Sequence, residues 1–406
     1  MIEPGQLLDV TITSPAHGGH CVGRADSGQV VFVRHTLPGE RVTARVTSVG
    51  KGGRFLNADA EEVLQPSTHR VAPACQWAGR CGGCDFQHGD AHVRRQMAVD
   101  VVADLLTRLA GIRSIHGKAP AAALAWAELE HGAAGTGSRS RARYTVGPDG
   151  VLSMRAHHSH DLVPVGICPL GLPEAAQAAA DFNGDPGSEV EFVVDDDGEV
   201  VTVVDGIGDD LVTRRVNGRV WRLQPTGFWQ VHPQAAQTLS DMVSEAVGAK
   251  PGEHVLDLYA GAGLFAASVA VAVGGQGRID AVESSQESVN DGATALADLP
   301  QVTFHHADTR RWVRQHRGEA ADVVIVDPPR AGVGADAVID MLRMRPRVVA
   351  YVSCDPATFA RDARTAAEHG YHLAEVTLLD MFPMTGHIEL LGVLRPGEQD
   401  CSGGCG

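Results

Sequence analysis

Basic residues are scarce in this chain. Its 406 residues hold 34 Lys and Arg against 50 Asp and Glu, a formal net charge of −16. Non-specific nucleic-acid binding rests on neutralising phosphates, so a protein that coats RNA or DNA over its whole surface is excluded. A local basic groove is not. Long apolar runs are missing too, and no stretch approaches a membrane span. The start, Met1-Ile-Glu-Pro-Gly, has neither the basic flank nor the apolar core of an export signal. We therefore expect a soluble, cytoplasmic protein with no membrane contact, and no obligate protein partner is evident in the sequence. Internal repeats are absent as well, which excludes a solenoid.

Length predicts two or three domains, and an apolar fraction of 44% suffices for ordinary cores. Residues 7–13, 29–34, 40–46 and 57–63 read as short Val- and Thr-rich strands between glycine turns, a spacing that predicts a small closed barrel. A cysteine-rich segment follows, then an amphipathic helix over 93–106. Residues 128–138 read as a flexible linker, and strand-like segments resume to residue 225, broken by an acidic loop at 195–198. From residue 253 strand and helix alternate, with strands at 254–259, 278–283, 301–307, 322–327 and 348–353. That rhythm predicts a parallel sheet with helices on both faces. Strands 373–379 and 387–394 are expected as an antiparallel pair closing it. The expected fold class is α/β multidomain: a β-barrel at 1–65, a central α+β domain at 66–225, a Rossmann-like domain at 226–396 and a disordered tail at 397–406.

Asp257-Leu-Tyr259-Ala-Gly261-Ala-Gly263 follows a strand and opens a helix, so its glycines allow a ligand to approach the backbone at a helix N-terminus. The Gly-Lys-Ser/Thr ending of a phosphate loop is absent, and so is the third glycine of a dinucleotide fingerprint. Glu283 ends the next strand, where a carboxylate accepts two ribose hydroxyls, and Asp308 ends the third, where it could meet an adenine amino group. This combination resembles the S-adenosylmethionine site of class I methyltransferases. Val324-Ile-Val-Asp327-Pro-Pro-Arg330 ends the fourth strand with a carboxylate and two stiff prolines, a rim suited to a flat base.

Cys354 ends the fifth strand on the same edge, and the turn 380–389 brings His387 and Glu389 to the last strand. A thiol, a carboxylate and a methyl donor together point to alkylation of an unactivated pyrimidine carbon. Carbon 5 of uracil is a poor nucleophile until a thiolate adds at carbon 6; a base must then remove the carbon 5 proton. Cys354 is the expected nucleophile and Glu389 the expected base. A stacked base is out of reach, so the target must be flipped out.

Cys75, Cys81 and Cys84 form a second group, with Cys168 far along the chain. Disulfides do not suit a cytoplasmic protein, and four thiolates suit either an iron–sulfur cluster or zinc, with His88 as a further zinc candidate. Cys21 reads as packing, and Cys401 and Cys405 lie in the tail. Arg139, Arg141 and Arg143, and Arg214, Arg215 and Arg219, are basic runs that fit either an RNA groove or a solvated strand face.

In this order the motifs resemble the RNA uridine-5-methyltransferase family, in particular members bearing an N-terminal TRAM domain and a [4Fe-4S] cluster. The resemblance covers nearly the whole chain. Residues 79–88 (Gly-Arg-Cys-Gly-Gly-Cys-Asp-Phe-Gln-His) match its cluster segment and Cys168 its distant fourth ligand, which favours iron–sulfur over zinc. Residues 351–358 carry its nucleophile and 380–389 its base. Thr226-Gly-Phe228-Trp-Gln230-Val-His232-Pro matches the segment that the family places near the cofactor and the target base. His232 stands where Asn is usual, Asp355 replaces the usual Asn after the nucleophile, and Pro329 stands where many members have Ala. The resemblance implies an S-adenosylmethionine-dependent enzyme forming 5-methyluridine, with 23S rRNA favoured over tRNA as substrate. Methylation of cytosine, and a largely non-catalytic RNA-binding or ribosome-assembly role, are the competing expectations.

Overall fold

The computed structural model describes residues 2–25, 27–132, 135–208 and 210–397, and the chain forms two compact units. Residues 398–406, with Cys401 and Cys405 of the expected tail, lie outside the described residues, as do 133 and 134 of the expected linker. One unit gathers residues 1–102, 130–209 and 381–388; the other gathers 103–129, 210–380 and 389–406.

The first unit begins with alternating strands. Val10 and Ile12, Val31 and Val33, and Val42 and Ala44 are buried at every second position, so each strand has one apolar face to hide. Turned inward, those faces close a barrel in the order Leu7–Ala16, His20–Arg24, Val30–Arg34, Phe55–Gln65, Arg41–Val49. Four of its strands match the expected ones. The fifth, His20–Arg24, contains Gly23, where a Cβ would lie 2.4 Å from the carbonyl oxygen of Thr11. A glycine in a run this short reads as a turn in sequence, although here close backbone approach demands it inside a strand. A separate antiparallel sheet follows in the order Val200–Val204, Glu189–Val194, Arg141–Val146, Leu152–Arg155, Leu162–Val163. Helix Pro173–Asp181 covers it, burying Ala175 and Ala179 against a core that includes Tyr144, Val190 and Phe192.

The second unit is built on an eight-stranded sheet. Their order is Val302–His306, Arg278–Glu283, His254–Leu258, Val323–Val326, Val348–Ser353, Glu389–Pro396, Tyr371–Leu379, Ala125–Ala127. The first five run parallel, and their central members are buried on both faces, as continuous Val and Leu runs require. Glu389–Pro396 then runs antiparallel to both of its neighbours. The expected closing pair is therefore present, with its last strand inserted next to Val348–Ser353 and starting at Glu389 rather than His387. At the far edge Ala125–Ala127 pairs in parallel with Tyr371–Leu379. Three residues are too few to carry a readable pattern, so nothing in the sequence marks this strand.

Hairpin Val212–Val216/Arg219–Leu223 braces the glycine loop: buried Trp221 donates its indole N–H to the carbonyl of Ala262 at 2.9 Å. Two arginines of the basic run here are held locally, while Arg215 is exposed. Arg214 is buried, and Arg219 grips Asp298 at 2.6 and 2.9 Å. A buried polar knot fixes the loop after strand Val323–Val326. The Tyr351 hydroxyl donates to Asp362 at 2.7 Å, and Asp362 also accepts the backbone N–H of Val333 at 2.8 Å and of Gly334 at 3.2 Å.

Replacing Asp362 by Ala leaves those donors without their acceptor in an apolar interior. Asp362→Ala is expected to cost about 3 kcal/mol of unfolding free energy, whereas Tyr351→Phe, which keeps the two backbone bonds, costs about 1 kcal/mol. Urea unfolding of the two variants measures that order.

Candidate active site

The cofactor loop is strained in the way a ligand cradle requires. After strand His254–Leu258, Tyr259 takes a φ of 61°, Gly261 of 54° and Gly263 of 78°. A Cβ on Gly263 would strike Phe304 at 2.7 Å, whereas one on Gly261 would meet nothing within 4 Å. The backbone at Gly261 therefore faces open space, and a group can approach it. Asp257 is fully buried: Oδ2 accepts the N–H of Ala266 at 2.8 Å, while Oδ1 has no partner. Burial pushes its carboxyl up to about 8. An orphaned oxygen in such a place fits a bound polar ligand. Glu283, at the end of Arg278–Glu283, accepts the N–H of Gly261 at 3.0 Å and of Ser285 at 2.7 Å, so it sits against the loop. Asp308 acts locally, capping helix Thr309–His316 by accepting the N–H of Arg311 at 2.9 Å.

Cys354 and Glu389, the expected nucleophile and base, are brought together by register. Ser353 pairs with Leu390 across the antiparallel strands, and one further step sets Cys354 opposite Glu389. Asp327 lies next door, one residue beyond Val326, which pairs with Tyr351. Its backbone N–H donates to Leu258 at 3.2 Å, and Gln230 Nε2 donates to its Oδ2 at 3.4 Å. Glu389 is only 4% exposed. Burial, then the negative charge of Asp327, raise its carboxyl well above the usual range. Burial also lifts Asp327 to about 7. Cys354 feels all of this: burial, then the charges of Glu389 and Asp327, push its thiol up to about 11, with Arg330 pulling the other way.

Asp355 caps helix Pro356–Glu368, accepting the N–H groups of Ala357 at 3.0 Å and Thr358 at 2.8 Å. The residue that stands in place of the usual Asn thus holds a helix end, which Asn does equally well. His232 is buried, and its Nδ1 accepts the N–H of Gln234 at 3.2 Å. The neutral ring then carries its proton on Nε2 and presents a donor, as the amide it replaces would. Phe228, two residues before Gln230, is 66% exposed. Arg330, whose charge acts on Cys354, is absent from the expected set, although Asp327-Pro-Pro-Arg330 displays it.

In the first unit Cys75, Cys81, Cys84 and Cys168 line one cavity with Trp77, Gln87 and Arg139. Cys81 bridges to Ala156, and a Cβ on Gly82 would lie 2.9 Å from the backbone N of His157, which accounts for the glycine between the thiols. Trp77 N–H donates to the sulfur of Cys75 and Gly83 N–H to that of Cys81, both at 3.4 Å. Burial raises the thiols of Cys81 and Cys168 and pushes Cys84 up to about 12, while Arg139 pulls all three down. Among the described residues no three His, Cys, Asp or Glu are grouped as ligands of a single metal ion. The three arginines expected in an RNA groove separate. Arg139 stands on the cysteine cavity, Arg141 pairs with buried Glu191 at 3.1 Å, and Arg143 pairs with it at 3.2 Å but keeps its side chain 69% exposed.

The acid–glycine loop at the edge of a parallel sheet, with further acids on the following strand ends, defines a class I methyltransferase domain. The TRAM domain profile matches residues 3–60, and that of tRNA (uracil-5-)-methyltransferase matches residues 315–396. An uncharacterized RNA methyltransferase of Streptomyces coelicolor is 36% identical over 97% of this chain and 94% of its own length. One from Corynebacterium diphtheriae is 32% identical over 97% of both. The fold is similar to that of the Pyrococcus abyssi tRNA (uracil-54, C5)-methyltransferase bound to S-adenosyl-L-homocysteine, with a TM-score of 0.70 and 21% identity over 95% of this chain and 99% of that one. The chain belongs to the family of S-adenosylmethionine-dependent RNA (uracil-5-)-methyltransferases.

A thiol pushed up to about 11 is sluggish toward alkylating reagents. Iodoacetamide modification of Cys354 in the free protein is expected to accelerate about tenfold per pH unit between about pH 8 and about pH 10. Asp327→Asn removes a negative charge that disfavours the thiolate, so it should raise the rate at any pH in that window; peptide mass spectrometry follows it.

Proposed function

We propose that this enzyme forms 5-methyluridine in RNA through a covalent bond between Cys354 and carbon 6 of a flipped-out uracil. The observation that carries the reading is the register setting Glu389 opposite Cys354, with Asp327 beside them. The thiol proton of Cys354 passes to the Asp327 carboxylate. The thiolate adds to carbon 6, and the electron pair of the carbon 5–carbon 6 bond moves onto carbon 5 and the carbon 4 oxygen as an enolate. S-adenosylmethionine, when bound, supplies the electrophilic methyl group that carbon 5 accepts. The Glu389 carboxylate then takes the carbon 5 proton, the double bond re-forms, and the thiolate leaves to recover its proton from Asp327. A buried carboxyl with raised proton affinity is a stronger base than an exposed one, which suits Glu389 to a carbon acid.

Asp257, Tyr259, Gly261, Gly263, Glu283 and Gln230 would hold the cofactor: the open face at Gly261 and the unpartnered Oδ1 of Asp257 support that reading. Asp308 joins them only beside its capping bond. Exposed Phe228 offers a stacking face for a base, His232 a neutral donor, and Asp327 an acceptor for the uracil N3–H. The barrel and the exposed Arg143 would take RNA backbone, whereas Arg139 and Arg141 serve structure first.

The four thiols around one cavity, two of them with N–H donors at 3.4 Å, fit a [4Fe-4S] cluster bound by Cys75, Cys81, Cys84 and Cys168. Zinc, the alternative, would need all its ligands at about 2.3 Å from one point, and among the described residues no three His, Cys, Asp or Glu are so grouped.

Purified protein, prepared without oxygen, is incubated with methyl-labelled S-adenosylmethionine and with separated 23S rRNA and tRNA, and the digested nucleosides are resolved by mass spectrometry. Label is expected in 5-methyluridine and lost in Cys354→Ala; label in 5-methylcytidine, or label that survives Cys354→Ala, overturns the reading. The sequence favours 23S rRNA, whereas the profile matched and the whole-length structural neighbour are named for tRNA, so the two RNAs are separate arms. Phe228→Ala should raise KM for RNA about tenfold, the worth of one stacked base, with kcat little changed.

A further inference from the structure

The strand that bears Glu389 is entered from an excursion of the chain. Met381–Ile388 clusters with the first unit, while Asp380 and Glu389 on either side of it cluster with the second. Within the first unit this strap is clamped by the cysteine loop. The backbone N–H groups of Asp85 and Phe86 both donate to the carbonyl of Met384, at 2.9 and 3.0 Å. The Asp85 carboxylate accepts the N–H of Gly386 at 2.8 Å. The tip of the barrel hairpin closes the junction: a Cβ on Gly386 would lie 2.4 Å from the backbone N of Gly19, and a Cβ on Gly19 would lie 2.6 Å from Cγ of Asp85. Three segments distant in sequence therefore meet with no room for a side chain at either glycine.

Their places in the chain give the junction its meaning. Asp85 follows Cys84 directly, and only His387 and Ile388 separate Gly386 from Glu389. The three Cα-to-Cα steps from Gly386 to Glu389 span at most about 11 Å, so a shift of the clamp passes to the start of the base strand with little slack. Met381, Met384 and Ile388 are buried, which further stiffens the strap.

We infer that Asp85 is a positioning residue for Glu389: the cysteine loop grips the 381–388 strap and so sets where the base begins its strand. The inference rests on the proposed role of Glu389 as the base that resolves the covalent adduct. Loss of the clamp then slows proton removal from carbon 5 more than it slows thiolate addition or methyl transfer. The enzyme accumulates as a methylated RNA adduct.

The test uses the full chain and whichever RNA accepts label. Wild type, Glu389→Gln, Asp85→Ala, Asp85→Asn and Gly386→Ala are followed in single turnover, with adduct read on denaturing gels and kcat and KM measured separately. Glu389→Gln is the control: if it traps no adduct, the assignment of the base fails, and this inference with it. If it does trap adduct, Asp85→Ala is expected to lower kcat by about ten- to a hundredfold, the usual cost of a small misplacement, with KM for RNA unchanged and adduct visible. Asp85→Asn, which keeps an acceptor for Gly386, should recover most of the rate. Gly386→Ala, which forces the junction apart from the other side, should trap adduct as well, and it carries the test if Asp85→Ala does not fold. Wild-type kcat in folded Asp85→Ala, or a fall in kcat with no adduct in either junction variant, overturns the inference.

Discussion

The site depends on where one antiparallel strand is inserted. Parallel strands deliver their carboxyl ends to the cofactor edge and leave it through helices, so each can offer a residue such as Asp257, Glu283, Asp327 or Cys354 as it departs. A strand running the other way arrives at that edge, and its first residue can face a partner across a ladder. Glu389–Pro396 does this against Val348–Ser353. A slip of one residue would set Leu390 against Cys354 and turn the carboxylate to the other face. The register has a steric lock: Gly392 pairs with Tyr351, and a Cβ there would lie 2.3 Å from the Phe359 ring of the helix that follows Cys354. The residues on either side of Gly392, Leu391 and Val393, carry side chains that this space cannot hold.

That insertion buries acids next to a thiol. Desolvation raises Glu389, Asp327 and Cys354 together, and each negative charge makes the next one harder to form. Opposing this are Arg330 and the positive end of helix Pro356–Glu368, which begins two residues after Cys354 and is already capped by Asp355. The outcome in the free protein is a thiol at rest. An unguarded thiolate is open to oxidation and to stray electrophiles, so on the proposed mechanism a thiol held protonated in the free protein is protected until it is needed.

Much of this was legible because the chemistry sits where strands end. Cys354, Glu389, Glu283 and the Asp257–Gly263 loop are marked by a strand pattern followed by a residue type that packing does not explain. The rest was hidden for separable reasons. Ala125–Ala127 is too short for periodicity, and His20–Arg24 contains a glycine that imitates a turn. Asp308 reads in sequence as an adenine contact, and a helix N-cap asks for the same residue type at the same place. Arg139, Arg141 and Arg143 look alike in sequence, but their environments are set by partners far along the chain, Cys168 and Glu191. Asp85 was invisible because its partner, Gly386, is a backbone N–H some three hundred residues away.

The junction at Asp85 bears on why a methyl-transferring enzyme would keep a thiol cage. The proposed reaction converts a C–H bond to a C–CH3 bond with release of a proton, and no electron leaves or enters the substrate pair. Such a balance needs no electron carrier, which favours a role for the proposed cage in what its loop holds. The loop holds the carbonyl of Met384 and the N–H of Gly386 through two backbone donors and one carboxylate. Filling the cavity with a rigid, four-point ligand would fix Cys84, and Asp85 with it, more firmly than apolar packing against so small a segment can. On this view the cage works as a fastener, and its stiffness is felt at the first residue of the base strand.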